Sequence, residues 1–208
     1  MSLAQSEFKN ITAAGDAMME CCDNSTFQST VLQHLHHVIG SESAVYYNIA
    51  GKLNDLRFKD GFSIGVPKEA PKQWCEHYRE RDPFVNKAID NIDKGSQSTI
   101  VSKNIVVNRE YTNTEFYCDF LNPQHVHHVM VIPIVEDARP IALIGLHRPA
   151  HSQAFSEKDI LKAEFVKPYI KAAIQKISLN TQLDECKSTI DTLISDLPYE
   201  GVIVLDTI

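Results

Sequence analysis

The sequence predicts an α+β fold: an antiparallel sheet of about five or six strands with helices packed on it, and a long C-terminal helix. Three observations carry that prediction. Segments rich in β-formers alternate with stretches of helical periodicity instead of standing in one block. The last two strand candidates, HVMVIPIV and RPIALIGLHR, are joined only by the polar turn EDA, so they close as an antiparallel hairpin. Helical patterns stand at both ends of the chain.

The elements follow in order. The first 40 residues read as two helices. In the second, Phe27, Val31, Leu32, Leu35 and Val38 keep helical spacing up to Gly40, with Asn24 or Ser25 placed to cap it. SAVYYNIA (43–50) and DLRFKDGFSI (55–64) are β-rich and flank a turn region of Gly, Asn and Asp, which predicts a hairpin. KEAPKQWCEHYRERD reads as a helix and PFVNKAIDNI as another, with Pro83 in its first turn. STIVS is a short strand. Thr112-x-x-Glu115 has the form of a capping box opening a helix over EFYCDFLN, which ends at Pro123.

Ser156-x-x-Asp159 opens the final helix, which Pro168 is expected to kink. Along it, Ile170, Ile174 and Ile177 keep 4-3 spacing, and Leu183, Cys186, Ile190 and Leu193 keep 3-4-3 spacing in a shifted frame. A slipped heptad seam of this kind predicts a helix that leaves its domain and pairs with a second copy. The expected division is therefore a domain over 4–178, a coiled-coil-like linker over 179–196, and the opening strand of a following module over 197–208.

Composition limits the function classes. At 208 residues the chain can bury a core without disulfide staples. A net charge of −7, with no long basic run, argues against nucleic-acid binding by this stretch itself. Five cysteines without a C-x-x-C pair suggest neither a disulfide framework nor a zinc knuckle, which fits a reducing cytoplasm. Nothing approaches 18 continuous apolar residues, so no membrane span is expected. There is no G-x-S-x-G and no phosphate-cradling glycine loop, and no catalytic residue is assigned. His125 and His127 would share a strand face, yet no further ligands stand at a recognised metal spacing. The histidines read instead as the turn into a strand, with His128 half-buried beside Met130 and Ile132; no metal and no cofactor are implied.

The segment EFYCDFLNPQHVHHVMVIPIVEDARPIALIGLHRPAHSQAFSEKDI resembles the closing half of the GAF-like sensor region of LuxR-type (helix-turn-helix) bacterial transcriptional regulators. The matching positions are Phe116, Phe120, His128, Pro133, Gly145, Arg148, Phe155 and Ser156, within a resemblance that covers roughly residues 20–178. APKQWCEHYRERDPF resembles the autoinducer-binding version of that fold, although the gap from Tyr78 to Asp82 is shorter than in that family. PYEGVIVLD resembles the opening strand of a PAS-like segment.

The resemblance implies a cytoplasmic GAF/PAS-like sandwich that binds a small molecule, dimerises through its terminal helices and reaches DNA only through a domain outside this chain. Trp74 and Tyr78 would then offer ring faces and donors to the ligand, and Asp82 would accept from a ligand amide. Tyr46, Phe58, Phe116 and His128 complete the expected ligand-binding set; strand alternation lets only one of Tyr46 and Tyr47 face inward. Two alternatives stand beside this reading. One is a thiol-dependent reductase using Cys75 and Cys118, and the other is a dimerisation module with a filled core.

Overall fold

The computed structural model describes residues 2–51, 56–105 and 108–195; the expected module at 197–208 lies outside them. Five antiparallel strands form one sheet in the order β2-β1-β5-β4-β3. They are β1 (Ser43–Ala50), β2 (Arg57–Ile64), β3 (Ile100–Val101), β4 (His128–Glu136) and β5 (Arg139–Arg148). The number agrees with the sequence reading, and so does the closing hairpin. Its two-residue turn holds Asp137 and Ala138 at φ of 47° and 60°. That left-handed geometry matches strand twist, but it suits Gly or Asn better than Ala.

Strand alternation decides what lies on each face. Tyr46 of β1, Met130, Ile132 and Ile134 of β4, and Ala142, Ile144 and Leu146 of β5 join one buried cluster. Helices α1 (Gln5–Glu20), α2 (Asn24–Leu35) and α6 (Glu157–Ser195) cover that face. Tyr47, Val129, Val131 and Leu143 point the other way, into a second cluster with Trp74, Phe84 and Phe116. The shorter helices α3 (Ala70–Gln73), α4 (Pro83–Asp93) and the turn Phe116–Leu121 cover this second face, while α5 (Asn108–Tyr111) brings in Tyr111. The result is the expected three-layer sandwich.

Helix starts shift slightly from the sequence reading. Asp23, not Asn24 or Ser25, caps α2, accepting the Thr26 amide at 2.9 Å. Thr114, not Thr112, caps the Phe116 helix through its bond from the Tyr117 amide at 3.2 Å. Ser156 and Asp159 do form a reciprocal box, with the Ser156 amide donating to Asp159 and the Asp159 amide to Ser156 at 2.8 and 3.2 Å. Helix α6 then runs continuously through Pro168.

Helix α6 has two parts. Up to Ile177 it packs on the sheet and on α1, where Gly15 leaves room for the Tyr169 ring at the helix crossing. Glu7 of α1 pairs with Lys158 and Lys162 of α6 at 2.8 and 3.2 Å. Beyond Ile177 no residue of α6 is buried, and Leu179, Leu183, Ile190, Leu193 and Ile194 are exposed.

Candidate functional site

The second face of the sheet carries the site. Chain segment 70–82 changes helical pitch twice, from α3 into a wider π-type turn over Trp74–Tyr78 and then a tight turn over Arg79–Arg81. The segment ends at Asp82, which precedes Pro83 and serves as the N-cap of α4. One Asp82 oxygen accepts the Phe84 and Val85 amides at 2.8 and 3.1 Å. The other accepts the indole N–H of Trp74 at 2.9 Å. These three bonds all favour the carboxylate. Burial outweighs them, and the Asp82 pKa is pushed up to about 6.

Trp74 anchors a wall of aromatic rings. Tyr47 lies 4.6 Å from it and Phe58 packs edge-on at 5.0 Å. Tyr78 stacks on Phe120 at 4.7 Å, and Phe120 on Phe116 at 5.7 Å. Between this wall and Val45, Val129, Val131 and Leu143 of the sheet lies a cavity of about 50 Å³. Its lining is largely apolar; Asp82, Gln124 and His147 contribute polar side chains, Tyr47 and Trp74 each carry one polar group, and among the described residues it holds no Lys or Arg. That volume admits a compact fragment or a few waters, against about 300–1,000 Å³ for common ligand pockets.

Five of the seven expected ligand-binding residues gather on this face. Trp74, Asp82 and Phe116 line the cavity, while Phe58 and Tyr78 support its aromatic wall. Tyr46 and His128 do not join them. Tyr46 points to the opposite face, edge-on to Phe27. His128 falls on the Met130 side of β4, and its Nε2 meets the Ser152 carbonyl at 3.1 Å. Strand alternation allows one of two registers, and the structure adopts the one that turns Tyr47 inward.

Among the cavity residues that sequence reasoning did not assign to a ligand are Tyr47, Phe120, Gln124 and His147. Alternation along β5 from the small Gly145 was the available signal for His147. Cys75 and Cys118 are absent from the cavity lining; Cys118 is exposed, and burial pushes the Cys75 thiol up, away from the thiolate a reductase needs. Among the described residues, no three His, Cys, Asp or Glu side chains are grouped to hold a metal. No described helix is long and apolar enough to cross a membrane.

A five-stranded antiparallel sheet between two helical layers, with a cavity under an aromatic wall on one face, defines a sensory sandwich domain. The chain belongs to the GAF domain family, whose model matches residues 23–166. No curated protein sequence matches it. Several solved structures share the fold. The VqsR LBD domain from Pseudomonas aeruginosa superposes with a TM-score of 0.58 at 13% identity, covering 85% of this chain and 99% of that one. The N-acylhomoserine lactone dependent LuxR family transcription factor CepR2 from Burkholderia cenocepacia gives 0.58 at 9% identity, with 86% and 98% covered. The bacteriophytochrome RpBphP3 from the photosynthetic bacterium R. palustris gives 0.62 at 11% identity, covering 96% of this chain and 44% of that one.

Proposed function

We propose that this chain is the cytoplasmic, ligand-sensing part of a LuxR-type transcriptional regulator. A small molecule would bind in the cavity beneath Trp74 and Asp82, and α6 would pass occupancy to a DNA-binding domain beyond this chain. The single observation that supports this most is the apolar cavity itself: it is walled by stacked rings and carries a few polar groups at fixed points. Fold likeness to CepR2 and to the VqsR LBD agrees with it.

The exposed end of α6 supports dimerisation. Leu179, Leu183, Cys186, Ile190 and Leu193 follow 4-3-4-3 spacing, which extends the predicted seam by one residue. Solvated helix of this length is marginal alone, and a second copy would bury the seam. The domain division at about residue 178 belongs to the same proposal.

Native mass spectrometry of protein from its own host tests the sensor reading: a co-purified small molecule supports it. Thermal-shift titration with N-acyl-homoserine lactones tests the ligand class, and no stabilisation at large excess rules that class out. The small cavity favours a second reading, a dimerisation module without a ligand. A protein that is dimeric in solution, ligand-free from its host and unaffected by a broad small-molecule screen would establish that alternative.

A further inference from the structure

His147 occupies an unusual position at the end of β5. Residues Leu143, Gly145 and His147 take successive places on the cavity face, and all three line the cavity. The imidazole is only 8% exposed. Its Nδ1 shares a hydrogen bond of 3.1 Å with the Ser43 hydroxyl, directly across the sheet in the Ser43–His147 pair. Its Nε2 lies over Gly145, where an added Cβ would come within 3.2 Å of it. Among the described residues Nε2 makes no hydrogen bond, and it is not one of the fully enclosed polar atoms left without a partner, so it can receive a hydrogen bond from outside the protein.

Charge narrows what this nitrogen can receive. Burial alone depresses the His147 pKa to about 4, so the ring is neutral at physiological pH. The other ionisable groups in the lining are Asp82 and Tyr47, whose hydroxyl burial keeps protonated, and among the described residues it holds no lysine or arginine. A carboxylate ligand would place a second negative charge in an apolar space that already holds one, with no cation to offset it. The cavity volume of about 50 Å³ sets the size: one ring at most, after modest outward movement of the aromatic wall.

We infer that His147 is a ligand-recognising residue whose Nε2 hydrogen-bonds the polar atom of an uncharged, compact, largely apolar ligand. The inference rests on the reading of this cavity as a ligand site. Either tautomer serves: when the Ser43 hydroxyl donates to Nδ1, Nε2 donates to the ligand, and in the other tautomer it accepts.

Phenol, toluene and benzoate make the test, since they share a ring and differ in polarity and charge. Thermal unfolding of the full chain is followed over a concentration series of each. Phenol and toluene are expected to stabilise the wild type and benzoate is not. In His147→Leu the affinity ratio of phenol to toluene is expected to fall roughly tenfold, the effect of leaving a buried hydroxyl unpaired. His147→Gln, which returns a donor and an acceptor near the same place, is expected to restore part of it.

An unchanged ratio in His147→Leu overturns the role of His147 while leaving the cavity as a binding site. Benzoate binding as tightly as phenol overturns the uncharged class. Stabilisation by none of the three overturns the cavity reading and this inference with it. If His147→Leu fails to fold, imidazole ¹⁵N spectra of the wild type decide. The His147 ring, assigned by the signal missing in His147→Gln, must shift its Nε2 signal with phenol and not with toluene; no such shift overturns the inference.

Discussion

Asp82 and His147 should give the protein a pH profile that only becomes visible when one of them is removed. Both are buried and their pKa values move in opposite directions, Asp82 up from 3.8 to about 6 and His147 down from 6.5 to about 4. For Asp82 the fold favours the protonated acid. Above about pH 6 the buried carboxylate destabilises the fold, and stability is regained as pH falls from about 6 towards 3.8. For His147 the fold favours the neutral ring. Its contribution is complete above pH 6.5 and is lost as pH falls from there through about 4, because the unfolded chain takes up the proton first. Each shift of roughly two units corresponds to about 3 kcal/mol. The two effects oppose each other over the same interval, so the wild type shows little net slope from this pair.

Urea unfolding from pH 4 to 7.5 measures this directly, with Trp74, the single tryptophan, as a fluorescent reporter in the cavity wall. Asp82→Asn leaves the His147 effect unopposed, and stability relative to wild type is expected to fall by about 3 kcal/mol between pH 7 and pH 4. His147→Leu leaves Asp82 unopposed, and relative stability is expected to rise by about 3 kcal/mol over the same interval. Absolute stability will also change in each variant, since Asp82 caps α4 and holds Trp74. The slope relative to wild type is therefore the quantity that counts. Curves parallel to wild type within about 0.5 kcal/mol in either variant would refute the assignment of a buried, shifted group there.

Three further predictions concern other parts of the fold. Ala138→Gly relieves the left-handed backbone in the β4–β5 turn and is expected to stabilise by about 0.5–1 kcal/mol, read from the urea midpoint. Gly145→Ala places a Cβ 2.9 Å from Val45 Cγ2 and 3.2 Å from His147 Nε2, which should cost about 1–3 kcal/mol and weaken phenol binding in thermal titrations. Leu183→Glu with Ile190→Glu is expected to convert a dimer to a monomer in sedimentation analysis, and Cys186 in the same seam should cross-link a parallel, in-register dimer under mild oxidant.

Periodic features were the legible ones. Strand alternation, the short EDA turn, Pro83 at a first turn and the Ser156–Asp159 box each depend on residues within a few positions of one another, and each appears in the fold. The aromatic and acidic run 74–82 was picked out by its resemblance to the autoinducer-binding pattern, and Trp74 and Asp82 do stand in the cavity lining with Tyr78 in the wall beside it. What local pattern left open was register. Val45-Tyr46-Tyr47 is apolar on both sides, since both faces of this sheet are buried, so alternation could not say which tyrosine met which layer. Asp82 shows a second limit. Its place before Pro83 marked a helix start, yet its use as anchor for Trp74 depends on a pitch change eight residues earlier that no periodicity records.

The end of β5 joins the cavity to the outgoing helix by the same alternation. His147 turns into the cavity, and the next residue, Arg148, turns to the other side of the sheet. There its guanidinium donates to the carbonyls of Gly40 at 2.6 Å, Ile39 at 2.7 Å and Gln153 at 3.1 Å. It also meets the Asp159 carboxylate at 3.4 Å and lies 4.1 Å from the centre of the Phe155 ring. Asp159 is the residue that closes the capping box of α6. One side chain thus ties the helical turn His36–Gly40 that follows α2, the loop after β5 and the first turn of α6 to the residue beside the cavity wall. The guanidinium is planar and its donors are fixed in direction, so a rotation of α6 cannot keep every one of these bonds at once. A ligand biases such an arrangement only by binding one helix position better than another. Contact with His147 gives it a direct means to do so, which is why the proposed sensor needs a polar atom at that end of the cavity and not only an apolar space.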